Sequence, residues 1–259
     1  MKISAFQMNI EPTVEENYNK ISEFLKSEKI HSDILVLPEM FTTGFAMESE
    51  KICEEHGGKT LQFLIASAAQ SGTAICGSVA TKVTNNSGEI KYFNSFYFVE
   101  PSGKYHTYDK HHLFRMAGEH NHYTAGNERV VVEYKGFRIL LQVCYDLRFP
   151  VYSRNKQDYD MIFYVASWPT VRVAAWNKLL DARAIENQAF VVGVDRIGNF
   201  DGMDYIGGTH IINFKGEKII SAKDNVQEVI SANISIDDLE KFRKVFPAYM
   251  DADKFEICK

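Results

Sequence analysis

FRILLQVCYDLRFP, residues 137–150, is a nearly continuous apolar run up to Cys144, followed by a polar turn that ends in Pro150. A run of this length and content predicts a buried strand, and the segment after Cys144 predicts a turn into a helix. Cys144 would then be held by a rigid strand at the open end of a sheet, a suitable place for a nucleophile. Because a free cysteine is more often a small buried side chain, the rest of the chain has to decide between the two interpretations.

The composition is that of an ordinary globular protein. Hydrophobic residues make up 45% and charged residues 24% of the 259 residues, values typical of soluble domains. A chain of this length commonly forms one domain, and we expect a single domain over residues 1–259. The net charge of -5 and the pI of about 5.9 indicate no basic surface for nucleic acid, so a small molecule is the expected partner.

Targeting segments and cysteine spacing indicate the cellular compartment of the protein. The segment 1–10 alternates apolar and polar residues and is too short for a signal-peptide core, and no stretch approaches the roughly 20 apolar residues of a membrane span. We therefore expect a cytoplasmic protein without a membrane partner. Four cysteines lack C-x-x-C spacing, which predicts free thiols rather than a zinc or disulfide framework: Cys53, Cys76, Cys144 and Cys258.

The pattern of apolar residues predicts strands that alternate with helices. Thr13 and Glu16 form a capping box for a helix that ends near Lys29, with an apolar face formed by Ile21, Phe24, Leu25 and Ile30. Further helices are predicted at 61–70 and 173–188. Strands are predicted at 1–10, 33–39, 73–81, 137–143, 161–166, 190–195, 207–214 and 226–234, with a hairpin of 81–88 and 91–100 and a turn at 214–217 between the last two strands. This mixture favours an α/β sandwich of layered sheets covered by helices over a purely parallel sheet.

Three side chains occupy positions that suit catalysis. Glu39 and Cys144 each follow an apolar strand at its carboxyl end, the edge at which open α/β sheets bind ligands. Lys110 lies in YDKHHLF, residues 108–114, among aromatic and imidazole side chains, which is unusual for a solvated lysine. A thiol that attacks at neutral pH needs a base for its proton and positive charge near the oxyanion. These three residue types can supply those roles together.

Three segments resemble the signatures of the nitrilase, or carbon-nitrogen hydrolase, superfamily, in the same order and at similar spacing. They are LPEMF at 37–41, YDKHHLF at 108–114 and VCYDLRFP at 143–150. Further matches extend the resemblance over almost the whole chain, namely GE at 118–119, YTAG at 123–126 and ARAIENQ at 182–188. The resemblance implies a four-layer α-β-β-α sandwich that commonly pairs into a homodimer or a higher homo-oligomer.

The resemblance also implies a mechanism. Cys144 would be the nucleophile and Glu39 the general base, while Lys110 and the backbone N–H of Tyr145 would hold the oxyanion. Glu119 would orient Lys110 and the substrate nitrogen. An amide substrate would lose ammonia and leave a Cys144 thioester, which water would release as the acid. No metal or organic cofactor is implied.

Within the superfamily, ASWP at 166–169 and FPAYMDADKF at 246–255 are most similar to bacterial ω-amidases. That similarity implies hydrolysis of a small dicarboxylic acid monoamide such as 2-oxoglutaramate or 2-oxosuccinamate. Another amidase, a carbamoylase or a nitrilase would share the triad and differ in the pocket. A non-catalytic binding or scaffold protein on the same fold is a further alternative, against which the intact Glu39, Lys110 and Cys144 argue.

Several residues are candidates for substrate contacts. Arg172, Arg183 and Arg196 could bind a substrate carboxylate, because a guanidinium group binds that group bidentately. Arg183 lies three residues before Glu186 and can instead form an ion pair within its helix. Trp168 suits a pocket wall and a core position equally.

The histidines and two further positions leave alternatives open. Five of the eight histidines fall within seventeen positions, which suggests a metal site as an alternative: His106, His111, His112, His120 and His122. Because no H-E-x-x-H pattern is present and the cysteines lie far away in sequence, we expect these rings to shape the pocket mouth, without a metal. Asp195 stands where similar enzymes often carry asparagine, and Thr209 where many carry serine, so contacts at these positions stay open.

Overall fold

The computed structural model describes residues 1–26 and 32–257. Its strands are β1 Lys2–Gln7, β2 Ile34–Val36, β3 Glu54–Glu55, β4 Ala74–Thr84, β5 Ile90–Val99, β6 Tyr105–Asp109, β7 Val131–Tyr134, β8 Phe137–Val143, β9 Met161–Ala166, β10 Phe190–Asp195, β11 Ile197–Phe200, β12 Met203–Ile206, β13 His210–Ile212, β14 Lys218–Ser221 and β15 Glu228–Asn233. Its α-helices are α1 Val14–Lys26, α2 Ser49–Ile52, α3 Lys59–Ser71, α4 Pro150–Ser153, α5 Val173–Asn187 and α6 Ile236–Val245. In the described ranges, no helix is long and apolar enough to span a membrane.

Two large sheets share one design. The first has the order β15-β1-β2-β4-β5-β6, with β3 paired to β4, and the second has the order β14-β13-β10-β9-β8-β7. In each sheet three central strands are parallel, β1, β2 and β4 in the first and β8, β9 and β10 in the second. Apart from β3, which is parallel to β4, the flanking strands are antiparallel to their neighbours. The carboxyl ends of the parallel strands therefore lie at one edge of each sheet.

The apolar strands are buried on both faces because a layer covers each side. Along β9, Met161, Phe163 and Val165 point into the core between the two sheets, whereas Ile162 and Tyr164 pack under helix α5. Strand β2 divides in the same way between the inter-sheet core and the helices α1 and α3. A strand buried on both faces needs apolar residues at every position, which explains the continuous runs. The predicted four-layer α-β-β-α sandwich is confirmed.

The first helix begins as the sequence predicts. Thr13 donates its backbone N–H to the Glu16 carboxylate at 3.2 Å, and the Glu16 N–H donates to Thr13 Oγ1 at 3.3 Å. These two bonds confirm the capping box. The predicted end of this helix near Lys29, and Ile30 on its apolar face, lie outside the described residues. Helices α3 and α5 and the β4–β5 hairpin also match their predictions.

The region after β10 differs from the prediction. The strand expected at 207–214 covers only His210–Ile212, because Gly207 and Gly208 adopt positive φ angles of 92° and 104°. The turn at 214–217 joins β13 to β14, and these two strands pair. The predicted hairpin between the strands at 207–214 and 226–234 is therefore wrong. Strand β15 instead pairs with β1 in the other sheet.

Some elements are absent from the prediction. They are α2, β3, β7, β14, the hairpin of β11 and β12, and helix α6. The hairpin has a recognisable signal, since Asp201 and Gly202 have φ angles of 49° and 72°, and Asp-Gly is the dipeptide that a turn with two positive φ angles favours. The segment after Cys144 matches its prediction of a turn into a helix, since the 3-10 turn Cys144–Arg148 is followed by the short helix α4.

The layered core makes a stability prediction. Phe163 lies on a central strand and is fully buried between the sheets, so we expect Phe163→Ala to lower the free energy of unfolding by about 3–5 kcal/mol. Ile219→Ala, on the edge strand β14 where the side chain is 43% exposed, is the control and is expected to change it far less. Urea unfolding followed by circular dichroism measures both. Equal losses for the two variants would contradict the assigned layers.

Candidate active site

Three loops meet where strands end. Glu39 follows β2 of the first sheet, Lys110 directly follows β6 at the edge of that sheet, and Cys144 directly follows β8 of the second sheet. Strand β6 is antiparallel to β5, which is antiparallel to β4, so the β6 end lies at the same edge as the end of β2. The topology therefore brings together three residues that are far apart in sequence, as predicted.

Lys110 is the centre of a buried ion-pair cluster. Its Nζ donates to Glu39 Oε1 at 2.9 Å and to the two carboxylate oxygens of Glu119 at 2.9 and 3.0 Å. All three side chains are fully buried. Asn94 on β5 donates a hydrogen bond from its Nδ2 to Glu39 Oε1 at 2.8 Å, and the Ser167 N–H donates to Glu39 Oε2 at 2.8 Å. The Glu39 carboxylate is thus fixed from three directions.

The charges of this cluster stabilise one another. Burial lowers the pKa of Lys110, but the negative charges of Glu119 and Glu39 outweigh it, so the net shift of that pKa is upward and the ammonium stays charged. Burial raises the pKa of the Glu119 carboxyl, and Lys110 partly offsets that effect. Glu119 also accepts the N–H of Phe114, which anchors the loop that follows Lys110.

Cys144 occupies a strained backbone conformation at the start of the 3-10 turn. Its φ of 47° lies in the left-handed region that residues other than glycine rarely adopt, a feature that often accompanies functional sites. Burial is the main cause that raises the pKa of the Cys144 thiol, and the charge and hydrogen bonding of Glu39 raise it further. The thiol is therefore protonated at rest, beside a carboxylate that can accept its proton.

Asp146 ties the Cys144 turn to the Lys110 segment. Its Oδ2 accepts the Val143 N–H at 2.9 Å and the Tyr108 hydroxyl at 2.8 Å. Its Oδ1 accepts both the backbone N–H of His112 at 3.0 Å and, at 2.8 Å, the His112 ring through Nδ1. One buried carboxylate thus holds the residue before Cys144 and the residues on both sides of Lys110.

A pocket of about 710 Å³ opens above these residues. Lys110 and Cys144 lie on its wall, and Tyr145 lines it at the second position of the 3-10 turn, where a backbone N–H has no acceptor within the helix. The rest of its wall is largely aromatic and apolar, with Phe45, Met47, Phe114, Trp168, Phe200, Met203 and Tyr205 among the lining residues. Trp168 serves both predicted purposes, since it lines the pocket and packs 5.4 Å from the Trp176 ring in the core.

Two of the pocket residues are arginines. Arg172 lies over the Phe114 ring at 5.1 Å and Arg148 over the Trp168 ring at 5.0 Å. Among the described residues, neither guanidinium group has a carboxylate within ion-pair distance. The other two candidates are used elsewhere: Arg183 pairs with Glu186 at 2.9 Å and donates to the Leu147 carbonyl, and Arg196 is fully buried and does not line the pocket.

Two of the histidines that suggested a metal, His111 and His112, have other contacts, and none of the five is among the described residues that line the pocket. The His111 ring stacks on Tyr152 with centroids 4.2 Å apart, and its Nδ1 lies 2.6 Å from the Gly126 carbonyl oxygen. The His112 ring stacks on Phe149 at 3.9 Å. Over residues 1–26 and 32–257, no group of three or more His, Cys, Asp or Glu side chains is arranged to hold a metal ion. His111 and His112 thus support the segment that carries Lys110.

Several site residues escaped the sequence analysis. Arg148 belongs to the VCYDLRFP segment, but only the 3-10 turn places it on the pocket wall. Asn94 is a buried amide within a strand of aromatic residues, and a polar residue there is a signal for a hydrogen-bonding role. Phe200 and Tyr205 come from the hairpin that the Asp-Gly turn would have revealed.

The site has the composition that the resemblance predicts for a carbon-nitrogen hydrolase, and the family comparison agrees. The carbon-nitrogen hydrolase model matches residues 2–244 of the chain. The chain belongs to this family, so the expectation of a carbon-nitrogen hydrolase is confirmed.

The relatives refine that assignment. Omega-amidase YafV of Escherichia coli strain K12 is 49% identical over 228 residues, which is 87% of this chain and 86% of that protein. The 2-oxoglutaramate amidase of Bacillus subtilis strain 168 is 31% identical over 244 residues, 92% of both chains. A CN-hydrolase superfamily protein of Xanthomonas campestris, solved with an arsenic adduct in its active site, superposes with a TM-score of 0.93 at 37% identity and covers 100% of this chain and 99% of that one.

The position of Asp146 predicts a strong effect on catalysis. Asp146→Ala removes four hydrogen bonds that hold the Cys144 turn against the Lys110 segment, and a misplacement of about 1 Å can cost 100-fold in rate. We expect kcat for an amide substrate to fall at least about tenfold. Asp237→Ala, an exposed aspartate on α6, is the control and should retain full activity. Unchanged kcat in a folded Asp146→Ala protein would show that the Cys144 turn keeps its conformation without the Asp146 side chain.

Proposed function

We propose that this protein is an ω-amidase that hydrolyses a small dicarboxylic acid monoamide, such as 2-oxoglutaramate or 2-oxosuccinamate, to the 2-oxo acid and ammonia. One observation carries the proposal: the pocket that contains Cys144 and Lys110 is also lined by Arg148 and Arg172, which form no ion pair among the described residues. A substrate with an amide at one end and a carboxylate at the other matches that arrangement. The similarity to YafV and to a 2-oxoglutaramate amidase supports the same substrate class.

In this proposal Cys144 is the nucleophile and Glu39 the general base. Cys144 Sγ attacks the amide carbon while Glu39 takes the thiol proton, which forms a tetrahedral intermediate. The Lys110 ammonium and the Tyr145 N–H stabilise the oxyanion. Glu39 returns the proton to the departing nitrogen, ammonia leaves, and a thioester remains. Water that gives its proton to Glu39 then attacks the thioester and releases the acid and the thiol.

Glu119 has a supporting part in the same proposal. Its two short contacts to Lys110 supply the second negative charge that keeps the ammonium protonated in a buried site. Because Lys110 is held between Glu119 and Glu39, its Nζ has little freedom to move when the substrate binds. An oriented charge of this kind stabilises a developing oxyanion without reorganisation.

The activity itself is tested with a substrate panel. We expect ammonia release from 2-oxoglutaramate and 2-oxosuccinamate, with kcat/KM at least about tenfold above that for N-carbamoyl amino acids, neutral aliphatic amides and nitriles. Cys144→Ala and Glu39→Gln should each lower kcat by a factor of about 1,000 or more, while Cys53→Ala, the control thiol, keeps it. Preference for a nitrile or a carbamoyl compound would replace the ω-amidase assignment, and a folded protein inert on the whole panel would favour a scaffold.

A second prediction concerns the substrate carboxylate. A charge-assisted hydrogen bond contributes about 1.5–3 kcal/mol, so Arg172→Met is expected to raise KM for 2-oxoglutaramate about 10-fold or more. The same variant should scarcely change KM for a neutral linear amide, which has no carboxylate to lose. Lys178→Met on the exposed face of α5 is the matched loss of one positive charge. If KM rises equally for charged and neutral amides, Arg172 shapes the pocket and does not bind the substrate carboxylate.

We also propose that the protein forms a homodimer or a higher homo-oligomer. Support comes from the C-terminal region, where Val245, Phe246 and Met250 are 85%, 58% and 71% exposed, an apolar surface that a second copy could cover. Light scattering is expected to give at least twice the chain mass of 29.6 kDa. Val245→Asp should lower that mass, whereas Met116→Asp, an equally exposed residue at the pocket rim, should not. A mass of one chain would refute the dimer.

Two further parts of the proposal concern organisation and location. We place residues 1–259 in a single domain, supported by the family match over 2–244, and limited proteolysis should then leave one resistant core. We place the protein in the cytoplasm, supported by the free thiols of Cys53, Cys76 and Cys144, which suit a reducing compartment. Cell fractionation tests that location.

A further inference from the structure

Asp195 is a buried carboxyl group that the mechanism above does not use. It ends strand β10 and has no exposed surface. Its Oδ1 accepts the backbone N–H groups of Trp168 at 2.8 Å and Arg196 at 2.9 Å. Its Oδ2 is buried and has no hydrogen-bond partner among the described residues. An ionised carboxylate oxygen left in this state would be costly.

The same turn contacts Asp195 and the proposed base. Ser167 and Trp168 follow β9, and their consecutive N–H groups donate to different carboxyl groups, Ser167 to Glu39 Oε2 and Trp168 to Asp195 Oδ1, each at 2.8 Å. A change in the Asp195 bond therefore shifts the peptide next to the one that orients Glu39. The side chain of Asp195 is held in turn by its own backbone, which exchanges hydrogen bonds with the Thr209 hydroxyl at 3.1 and 3.2 Å.

The charges around Asp195 disfavour a second anion. Lys110 is already bound to Glu39 and Glu119. The ionisable groups that face Asp195 from the surrounding loops are Glu39, Cys144, Tyr205 and Arg196. Burial is the largest cause that raises the pKa of Asp195 well above its usual range, and the charge of Glu39 adds to it. The two backbone N–H bonds and the charge of Arg196 act in the opposite direction.

Arg196 does not neutralise Asp195 by contact. Its Nε donates to the Ile197 carbonyl, and its guanidinium lies between the rings of Phe200 and Tyr205, 5.2 and 5.0 Å from their centroids. Its two terminal nitrogens have no hydrogen-bond partner in the part of the chain that the structure describes. The neighbouring acid and base are thus both buried without an ion pair between them.

We propose that Asp195 is a positioning residue of the active site and acts as an uncharged carboxylic acid. Its Oδ1 holds the Ser167–Trp168 turn that orients Glu39, and the proton on Oδ2 keeps a second negative charge away from Glu39 and Cys144. The charge state can be tested without any substrate, whereas the positioning part rests on the proposed amidase function.

The charge state is measured by urea unfolding of the full chain between pH 5 and pH 7. An unfolded aspartate, with a pKa near 3.9, is ionised over this range, so a wild-type protein with neutral Asp195 binds one proton on folding. Its stability then falls as pH rises, and its unfolding equilibrium constant should rise about tenfold per pH unit relative to that of Asp195→Asn, which cannot ionise. Asp237→Asn is the control, and its ratio to wild type should stay constant.

The same experiment can overturn the proposal. A wild-type to Asp195→Asn ratio that is constant from pH 5 to pH 7 would mean that the folded protein holds an ionised Asp195. Asp195→Ala and Asp195→Ser also lack an ionisable group, so either gives the same comparison if the asparagine variant fails to fold.

The positioning part is measured by steady-state kinetics on 2-oxoglutaramate at neutral pH. Asparagine keeps an acceptor oxygen for the Trp168 N–H, so Asp195→Asn should retain kcat/KM within about threefold of wild type. Asp195→Ala loses that acceptor, and its kcat should fall at least about tenfold with little change in KM. A tenfold loss in a folded Asp195→Asn protein, or full kcat in Asp195→Ala, would overturn the role. If the wild type is inactive on amides, the proposed function fails, while the unfolding titration still decides the charge of Asp195.

Discussion

A buried lysine held between two glutamates is the interaction on which the rest of this active site depends. An ammonium group without counter-charges could not stay ionised inside the protein, since the cost of removing it from water is several kcal/mol. Glu39 and Glu119 bind Lys110 at 2.9 Å, and Asn94 and the Ser167 N–H donate further hydrogen bonds to Glu39. The cluster joins the ends of β2, β6 and β9 to the middle of β5, so the same bonds that fix the charges also fix the loops.

The strand ends supply the second constraint. Cys144 is held at a positive φ of 47° because Val143 lies in a central strand of the second sheet and Asp146 closes the turn behind it. Asp146 also accepts hydrogen bonds from Tyr108 and His112, which flank Lys110. A carboxylate with four donors in a buried position resists displacement. The Cys144 turn of one sheet and the Lys110 segment of the other are therefore tied together by one buried carboxylate.

The sequence predicted the parts of the fold whose pattern is local. Continuous apolar runs identified β2, β8, β9 and β10, and Thr13 with Glu16 identified the start of α1. The hairpin of β11 and β12 was missed, although its Asp-Gly turn is a local signal. The pairing of β13 with β14 and of β15 with β1 was not predictable in the same way, because strand pairing depends on which edges the assembled sheets leave open. Helix α6, Ile236–Val245, was missed although Ser235 caps it and Ile236, Leu239 and Phe242 form its apolar face at helical spacing.

The sequence by itself determined the class of protein and indicated the candidate catalytic side chains, because LPEMF, YDKHHLF and VCYDLRFP each place a chemically suitable residue at a strand end. The tertiary structure alone decided which charges meet. It placed Arg148 and Arg172 on the wall of one pocket and kept Arg183 and Arg196 out of that wall, and among the described residues it left Asp195 buried without an ion pair. Those outcomes depend on distances and burial between segments far apart in the chain, and electrostatic energies change steeply with both.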